Sequence, residues 1–329
     1  MTRIGYQIPN FTYPGVGPAE LFATVAKQAA AADRSGFDTI MVMDHFYQLP
    51  MLGDPSKYML ECYATLAALS QHTTNARLAA LVTGNTYRNP ALLAKTITTL
   101  DIVSGGRAQL GIGAGWFELE HDSLGFEFGT FTDRFEKLEE ALQIILPMLR
   151  DERPTFTGKH YSVDNAINQP PPISRIPIMI GGSGEKKTLR MVAQYADSAN
   201  FTCGLDEVPR KLDALAAHCE RLGRDRNEIT VSKMGLCVIA PTVDEAYQEA
   251  KSFMLGMGVD LDAVDDATRE MFLSMVWWGG SEQIEEWFVK VKDLGLDGVT
   301  VSLPANGTIP ERIEQLGEVA TKVFGSAAQ

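Results

Sequence analysis

Short runs of β-branched and apolar residues recur along the chain, each followed by a longer segment with apolar positions at helical spacing. The runs cover residues 4–9, 37–43, 77–82, 107–113, 177–180, 197–202, 229–240 and 298–303. Helical spacing covers 18–34, 59–71, 90–103, 131–149, 185–195, 208–221 and the closing segment 309–324. Pro18 suits a first helical turn, where its missing N–H costs nothing, and Gly36 suits a C-terminal stop. Eight strand–helix units in 329 residues predict an α/β fold of the (β/α)8 barrel type. A doubly wound sheet would need fewer strands or a second domain. No shift in composition marks a linker, so one domain over 1–329 is expected, with a helical insertion at about 241–297 between strands seven and eight. Thr242 and Glu245 have the spacing of a reciprocal helix cap. A hairpin is expected around 157–161, and the prolines at 170–172 read as a surface connection.

Composition narrows the classes. Hydrophobic residues make up 45% and charged residues 22%, which is globular rather than disordered or fibrous. With 29 basic and 42 acidic residues the net charge is −13, a poor match for nucleic acid or an anionic membrane. Cys62, Cys203, Cys219 and Cys237 show no zinc-like spacing, and no metal site is expected from them or from the histidines. The N-terminus lacks the apolar core of a signal peptide, and no apolar run approaches the ~20 residues that span a bilayer. The expectation is a cytoplasmic protein whose partner is a small molecule.

In such a barrel the chemistry gathers at the C-terminal strand ends. Those ends carry Asn10, Asp44 and His45, Thr83 to Asn85, Gly113 to Trp116, Gly181 to Gly184, Thr202 with Cys203, and Pro304. His45 at a strand end serves either as a satisfied structural residue or as a general acid or base. Gly111, Gly113 and Gly115 do not form the dinucleotide fingerprint, because Trp116 follows where G-x-G-x-x-G would continue. The stretch from Gly181 to Thr188 fails as a P-loop, since no glycine directly precedes Lys186. It remains either a tight turn or an anion site at a helix N-terminus, with Lys186, Lys187 and Arg190 nearby. The acidic stretches 136–140 and 260–270 read as solvated faces; Trp277, Trp278 and Trp287 could line a pocket, seal a helix or bury in a dimer contact.

Taken in order, Asp44-His45-Phe46, the segment 83–91, Ser104 to Ala108, Leu110 to Trp116 and Ile180 to Thr188 resemble the luciferase-like superfamily. The likeness spans nearly the whole chain and is strongest to its branch that uses the deazaflavin coenzyme F420. It implies a luciferase-like barrel, commonly a homodimer, with the coenzyme at the strand C-termini. By that likeness His45 handles a proton and Asp44 binds the ring system. Thr83, Ala114 and Gly115 touch the ring and its side chain, while Gly182, Ser183 and Gly184 lie near the phosphate. A non-proline cis peptide is expected around Ala80 and Leu81. Sugar-phosphate-oxidising relatives carry a Glu where this chain has Trp116, which places Trp116 in the substrate pocket.

The resemblance therefore implies a coenzyme F420-dependent oxidoreductase transferring a hydride to or from a small organic substrate, with the reductase direction favoured. An FMN-dependent luciferase-like monooxygenase is the first alternative, and a non-catalytic barrel binding a flavin or deazaflavin the second. The substrate itself is not legible.

Overall fold

Eight parallel strands close on themselves: β1 (Ile4–Ile8), β2 (Thr39–Val42), β3 (Arg77–Ala80), β4 (Ala108–Gly113), β5 (Ile178–Gly181), β6 (Ser198–Phe201), β7 (Thr230–Ile239) and β8 (Gly298–Ser302). The structure, a computed structural model, describes residues 3–325; the first two and last four positions of the expected 1–329 unit lie outside it. Register is continuous around the ring. Gly5 stands opposite Thr39, Ile40 opposite Leu78, and Ile4 opposite Val299, and the pairing of Thr230 with Ser198 brings β7 onto β6. This is the (β/α)8 barrel that the alternation predicts. Strands covered on both faces read as near-continuous apolar runs, and all residues of β1 and β4 are buried.

Helices α1 (Pro18–Arg34), α2 (Cys62–Leu69), α3 (Pro90–Val103), α4 (Glu118–Leu124), α5 (Phe131–Leu149), α6 (Thr188–Tyr195) and α7 (Val208–Leu222) follow in chain order. In α1, Leu21, Val25, Ala29 and Ala32 recur at the spacing of one face and are buried. Thr130 and Asp133 form a reciprocal cap on α5, satisfying N–H groups that the first turn leaves open. Helix α2 starts later than expected because Glu61 caps it, accepting the Ala64 N–H at 2.6 Å. Helix α4 lies in a stretch the periodicity left irregular.

Strand β3 ends at Ala80. The following Thr83–Gly84 forms its own short pairing with the end of β4, and the cis peptide lies between Leu81 and Val82, one bond beyond its expected place. The expected hairpin pairs Phe156–Thr157 with Ser162–Val163.

Between β7 and β8 come α8 (Val243–Gly256), α9 (Asp266–Ser274), a strand Trp277–Gly279 parallel to the end of β7, and α10 (Ser281–Asp293). Helix α10 packs against the closing helix α11 (Pro310–Phe324) in the outer ring. The extra elements have a small core of their own around Val238, Met254, Leu261 and Val276. Thr242 accepts the Glu245 N–H at 3.2 Å. Trp277 covers Gly235 and stacks on Trp287 at 5.9 Å, so these indoles seal a helix onto the barrel. Inside the barrel, Asn200 donates to Ser232 and Thr300, and Ser302 donates to Gln7.

Candidate active site

The end of β2 delivers Asp44 and His45 to the mouth, and they have different surroundings. Asp44 is 2% exposed. Arg88 grips its carboxylate with two bonds, Nη1 to Oδ2 at 2.6 Å and Nη2 to Oδ1 at 2.9 Å, and the Gly84 N–H donates at 3.0 Å. Arg88 also reaches Glu61 at 2.7 Å and lies over the Tyr63 ring. Burial pushes the Asp44 carboxyl up by more than the guanidinium and the Gly84 N–H pull it down, while on the other side Asp44 outweighs burial and holds Arg88 above its ordinary value. With three donors on it, the carboxylate works as one half of an ion pair that ties the end of β2 to the loop after Thr83.

His45 has a second carboxylate behind it. Its Nδ1 lies 2.9 Å from Oε2 of Glu120, a fully buried residue of α4. The other oxygen, Oε1, accepts the N–H groups of Phe46 at 2.5 Å and Tyr47 at 2.8 Å. The Tyr87 hydroxyl also donates to Oε2. Burial would raise the Glu120 carboxyl, but the His45 bond and charge, the Tyr87 hydroxyl and the Tyr47 N–H outweigh it and hold it below the usual range.

Aromatic groups wall this pair. Trp116 and Phe117 meet the His45 ring edge-on at 5.8 and 5.7 Å, and Trp116 is 53% exposed. The loop carrying Trp116 turns at Gly115, where φ is +81° and a Cβ would meet Thr86 Oγ1 at 2.6 Å. Arg134 of α5 pins that loop by donating to the Gly115 carbonyl at 3.1 Å. Ala114 packs against the core, and Thr83 is fully buried with its hydroxyl 2.5 Å from that of Tyr63. His121 is structural: its Nδ1 donates to the Phe117 carbonyl, leaving Nε2 to accept from Thr86.

The loop of Gly182, Ser183 and Gly184 leaves β5, the neighbour of β4, so it emerges beside the loop of Ala114 and Gly115. Gly182 has φ +106°, and its N–H donates to the Asn200 carbonyl. Gly184 accepts the Leu189 N–H as α6 begins.

Sequence reasoning missed Glu120, Tyr87, Arg88 and Arg134. Glu120 lies in the first turn of the short helix α4, and its contact with His45 bridges 75 positions, so no local pattern signals it. The acidic stretch on α5 is also more than a solvated face. Glu140 accepts the N–H groups of Lys159, His160 and Tyr161, holding the hairpin, and Glu139 pairs with Arg190. Asp133, Glu136 and His160 gather their ligand atoms within 4.8 Å of one another, but Lys159 Nζ already sits on both carboxylates at 3.3 and 2.8 Å.

Fold and mouth together define a (β/α)8 barrel with a carboxylate-backed histidine at the C-terminal strand ends. Residues 2–298 match the family model of the luciferase-like monooxygenases, and the chain belongs to that family. It is 30% identical over 231 residues to an F420-dependent glucose-6-phosphate dehydrogenase of Microbacterium testaceum, 69% of this chain and 65% of that protein. The enzyme of that name from Nakamurella multipartita is 31% identical over the same length, with the same two shares. The chain thus spans about two thirds of the length of these curated relatives. Among solved structures, an F420-dependent secondary alcohol dehydrogenase superposes with a TM-score of 0.78 at 19% identity, over 98% of this chain and 99% of the other. A monooxygenase from Streptomyces bottropensis superposes with 0.81 at 15% identity, over 97% and 99%. At such identities the superpositions establish the shared barrel. Among the described residues no helix is long and apolar enough to cross a membrane.

Proposed function

We propose that the protein is a coenzyme F420-dependent oxidoreductase that moves a hydride between the deazaflavin and a small organic substrate. The observation that carries this is His45, with Nδ1 held on Glu120 and its ring against the exposed Trp116 at the mouth. The likeness to relatives named for F420 supports the choice of coenzyme.

The residues present fit such a group. The Gly182 N–H is held by Asn200, but a Cβ built on Gly182 would meet only Thr188, at 3.6 Å, so the loop leaves room for a phosphate ahead of α6. Ser183 and Gly184 continue that surface, and Lys187 lies nearby over Phe131 and Phe135. Ala114, Gly115 and Thr83 would border the ring system. Asp44 would act through Arg88, keeping the loop after Thr83 in place beside it. Bound F420 supplies the carbon that gives or takes the hydride. His45 gives or takes the accompanying proton at Nε2, and Trp116 selects for apolar substrates. In the reductase direction His45 Nε2 would donate the proton to the oxygen of the carbonyl whose carbon takes the hydride. A homodimer acting on small molecules completes the reading.

Fluorescence titration with F420 and, separately, FMN tests the coenzyme, with preference for F420 expected. Tight FMN binding with negligible F420 binding would make the protein an FMN-dependent monooxygenase. Tight F420 binding without hydride exchange under a broad set of ketones and alcohols would leave a binding barrel.

A further inference from the structure

We infer that Glu120 is the positioning residue that fixes which nitrogen of His45 carries the proton, so that proton exchange at the mouth passes through Nε2 alone. The inference rests on the reading of His45 as the proton carrier, but it concerns a property of the protein without coenzyme. Glu120 is fully buried and acts only through what it touches.

The hydrogen-bond arithmetic decides the tautomer. An ionised carboxylate offers about four acceptor positions and no hydrogen. Glu120 fills them with the Phe46 and Tyr47 N–H groups on Oε1, and with the Tyr87 hydroxyl and His45 Nδ1 on Oε2. Protonating Oε2 would put a hydrogen between it and a donor already aimed at it. The carboxylate therefore stays anionic, and its carboxyl is held low by the same neighbours. An acceptor-only partner requires the hydrogen to sit on Nδ1 of His45. The neutral imidazole then presents a bare Nε2 lone pair, and the imidazolium presents an Nε2–H.

The support is rigid. Tyr87 is wedged against Phe46 at 5.0 Å, His121 at 4.8 Å and Phe126 at 5.2 Å, so its hydroxyl cannot swing away without opening that cluster. Trp116 and Phe117 stand edge-on to the His45 ring, which opposes the ring flip that would put Cδ2 in place of Nδ1 against Glu120.

The substitution Glu120→Gln makes this falsifiable. Its oxygen can keep both backbone N–H groups, which places the amide nitrogen, now a donor, against Nδ1. His45 must then accept at Nδ1 and carry its hydrogen on Nε2. Long-range 15N–1H correlation spectra of the histidine rings read this in coenzyme-free protein above neutral pH, with His45→Ala to assign the signal. The expected wild-type pattern is protonated Nδ1 and bare Nε2, and Glu120→Gln should reverse it. Turnover should fall by about 10²–10⁴-fold, the usual cost of a displaced acid or base, with coenzyme affinity near wild type. A wild-type Nε2–H tautomer overturns the inference without any variant. So does a Glu120→Gln protein whose tautomer is unchanged. A reversed tautomer with undiminished turnover keeps Glu120 as the positioning residue and instead removes His45 from the proposed reaction.

Discussion

Asp44 and Arg88, 44 positions apart in sequence, meet in a two-bond ion pair beneath the barrel mouth, and Glu61 at the cap of α2 joins it through the same guanidinium. Both ends of the loop from β2 to α2 are thereby tied to the loop after Thr83 by one side chain. Removing it leaves a buried carboxylate with only the Gly84 N–H. Arg88→Met should cost about 3–5 kcal/mol, the usual penalty for breaking a buried pair from one side. Adding Asp44→Asn to Arg88→Met should return part of the loss, because no charge is then stranded. Urea midpoints of the two singles and the double measure this. A double variant no more stable than Arg88→Met would mean that the pair's charge is not what holds the loops.

Acid should weaken the barrel at Asp33. Near the end of α1, its carboxylate accepts the N–H groups of Thr74, Asn75 and Ala76 at 2.8, 2.9 and 2.7 Å, and the Thr74 hydroxyl at 3.0 Å. Burial would raise this carboxyl, but those four bonds outweigh it and hold it below the ordinary value. A depressed folded value stabilises above the unfolded one, about 3.9, and the gain is lost as pH falls through the folded value. Asp33→Asn should therefore cost about 1.5–3 kcal/mol at pH 7, and less near pH 3, below the unfolded value. An equal cost at both pH values would show that shape, not charge, matters there.

How far the sequence reveals all this depends on what each feature rests on. Helices α1, α3 and α5 have the bounds that periodicity predicts, because long apolar stripes carry the signal. Helix α4 has only seven residues and no stripe, and its buried Glu120 and His121 owe their burial to partners on other loops. The strand Trp277–Gly279 is too short for alternation to register. His45 is legible as a strand-end residue, but its carboxylate partner is not, since the bond spans 75 positions. Barrel closure creates that proximity, and no local pattern encodes it.

At the anion site, Gly184 has an ordinary backbone, and a Cβ there would meet only the Thr188 hydroxyl, at 3.0 Å, which a rotation can relieve. Gly184→Asp should fold, yet its carboxylate would repel a phosphate at the start of α6 and block close backbone approach. The expected result is at least tenfold weaker F420 binding with an unchanged circular dichroism spectrum, on the order of the 1–2 kcal/mol such end charges command. Unaltered affinity in the folded variant would move the phosphate elsewhere.

Trp116 leads to the sharpest statement about substrate. It stands half exposed and edge-on to His45, so whatever reaches that ring first passes an indole face. The carboxylate nearest His45 is Glu120, on the buried side, where it cannot touch a sugar hydroxyl. A sugar phosphate would bring a dianion to a chain of net charge −13, a repulsion felt within about 8–10 Å at physiological salt. It would also exchange hydrated hydroxyls for an apolar wall, at a cost of about 1–3 kcal/mol for each one left unpaired. We therefore expect no coenzyme reduction above background with glucose 6-phosphate, and activity instead with apolar or aromatic ketones or alcohols. Trp116→Ala should raise KM for the latter by about tenfold, one large aromatic contact of 1–2 kcal/mol, while leaving kcat within a few-fold. Stopped-flow absorbance of the coenzyme under both substrate classes decides the matter. Robust turnover of glucose 6-phosphate by the unaltered protein would remove Trp116 from substrate selection, whatever the coenzyme.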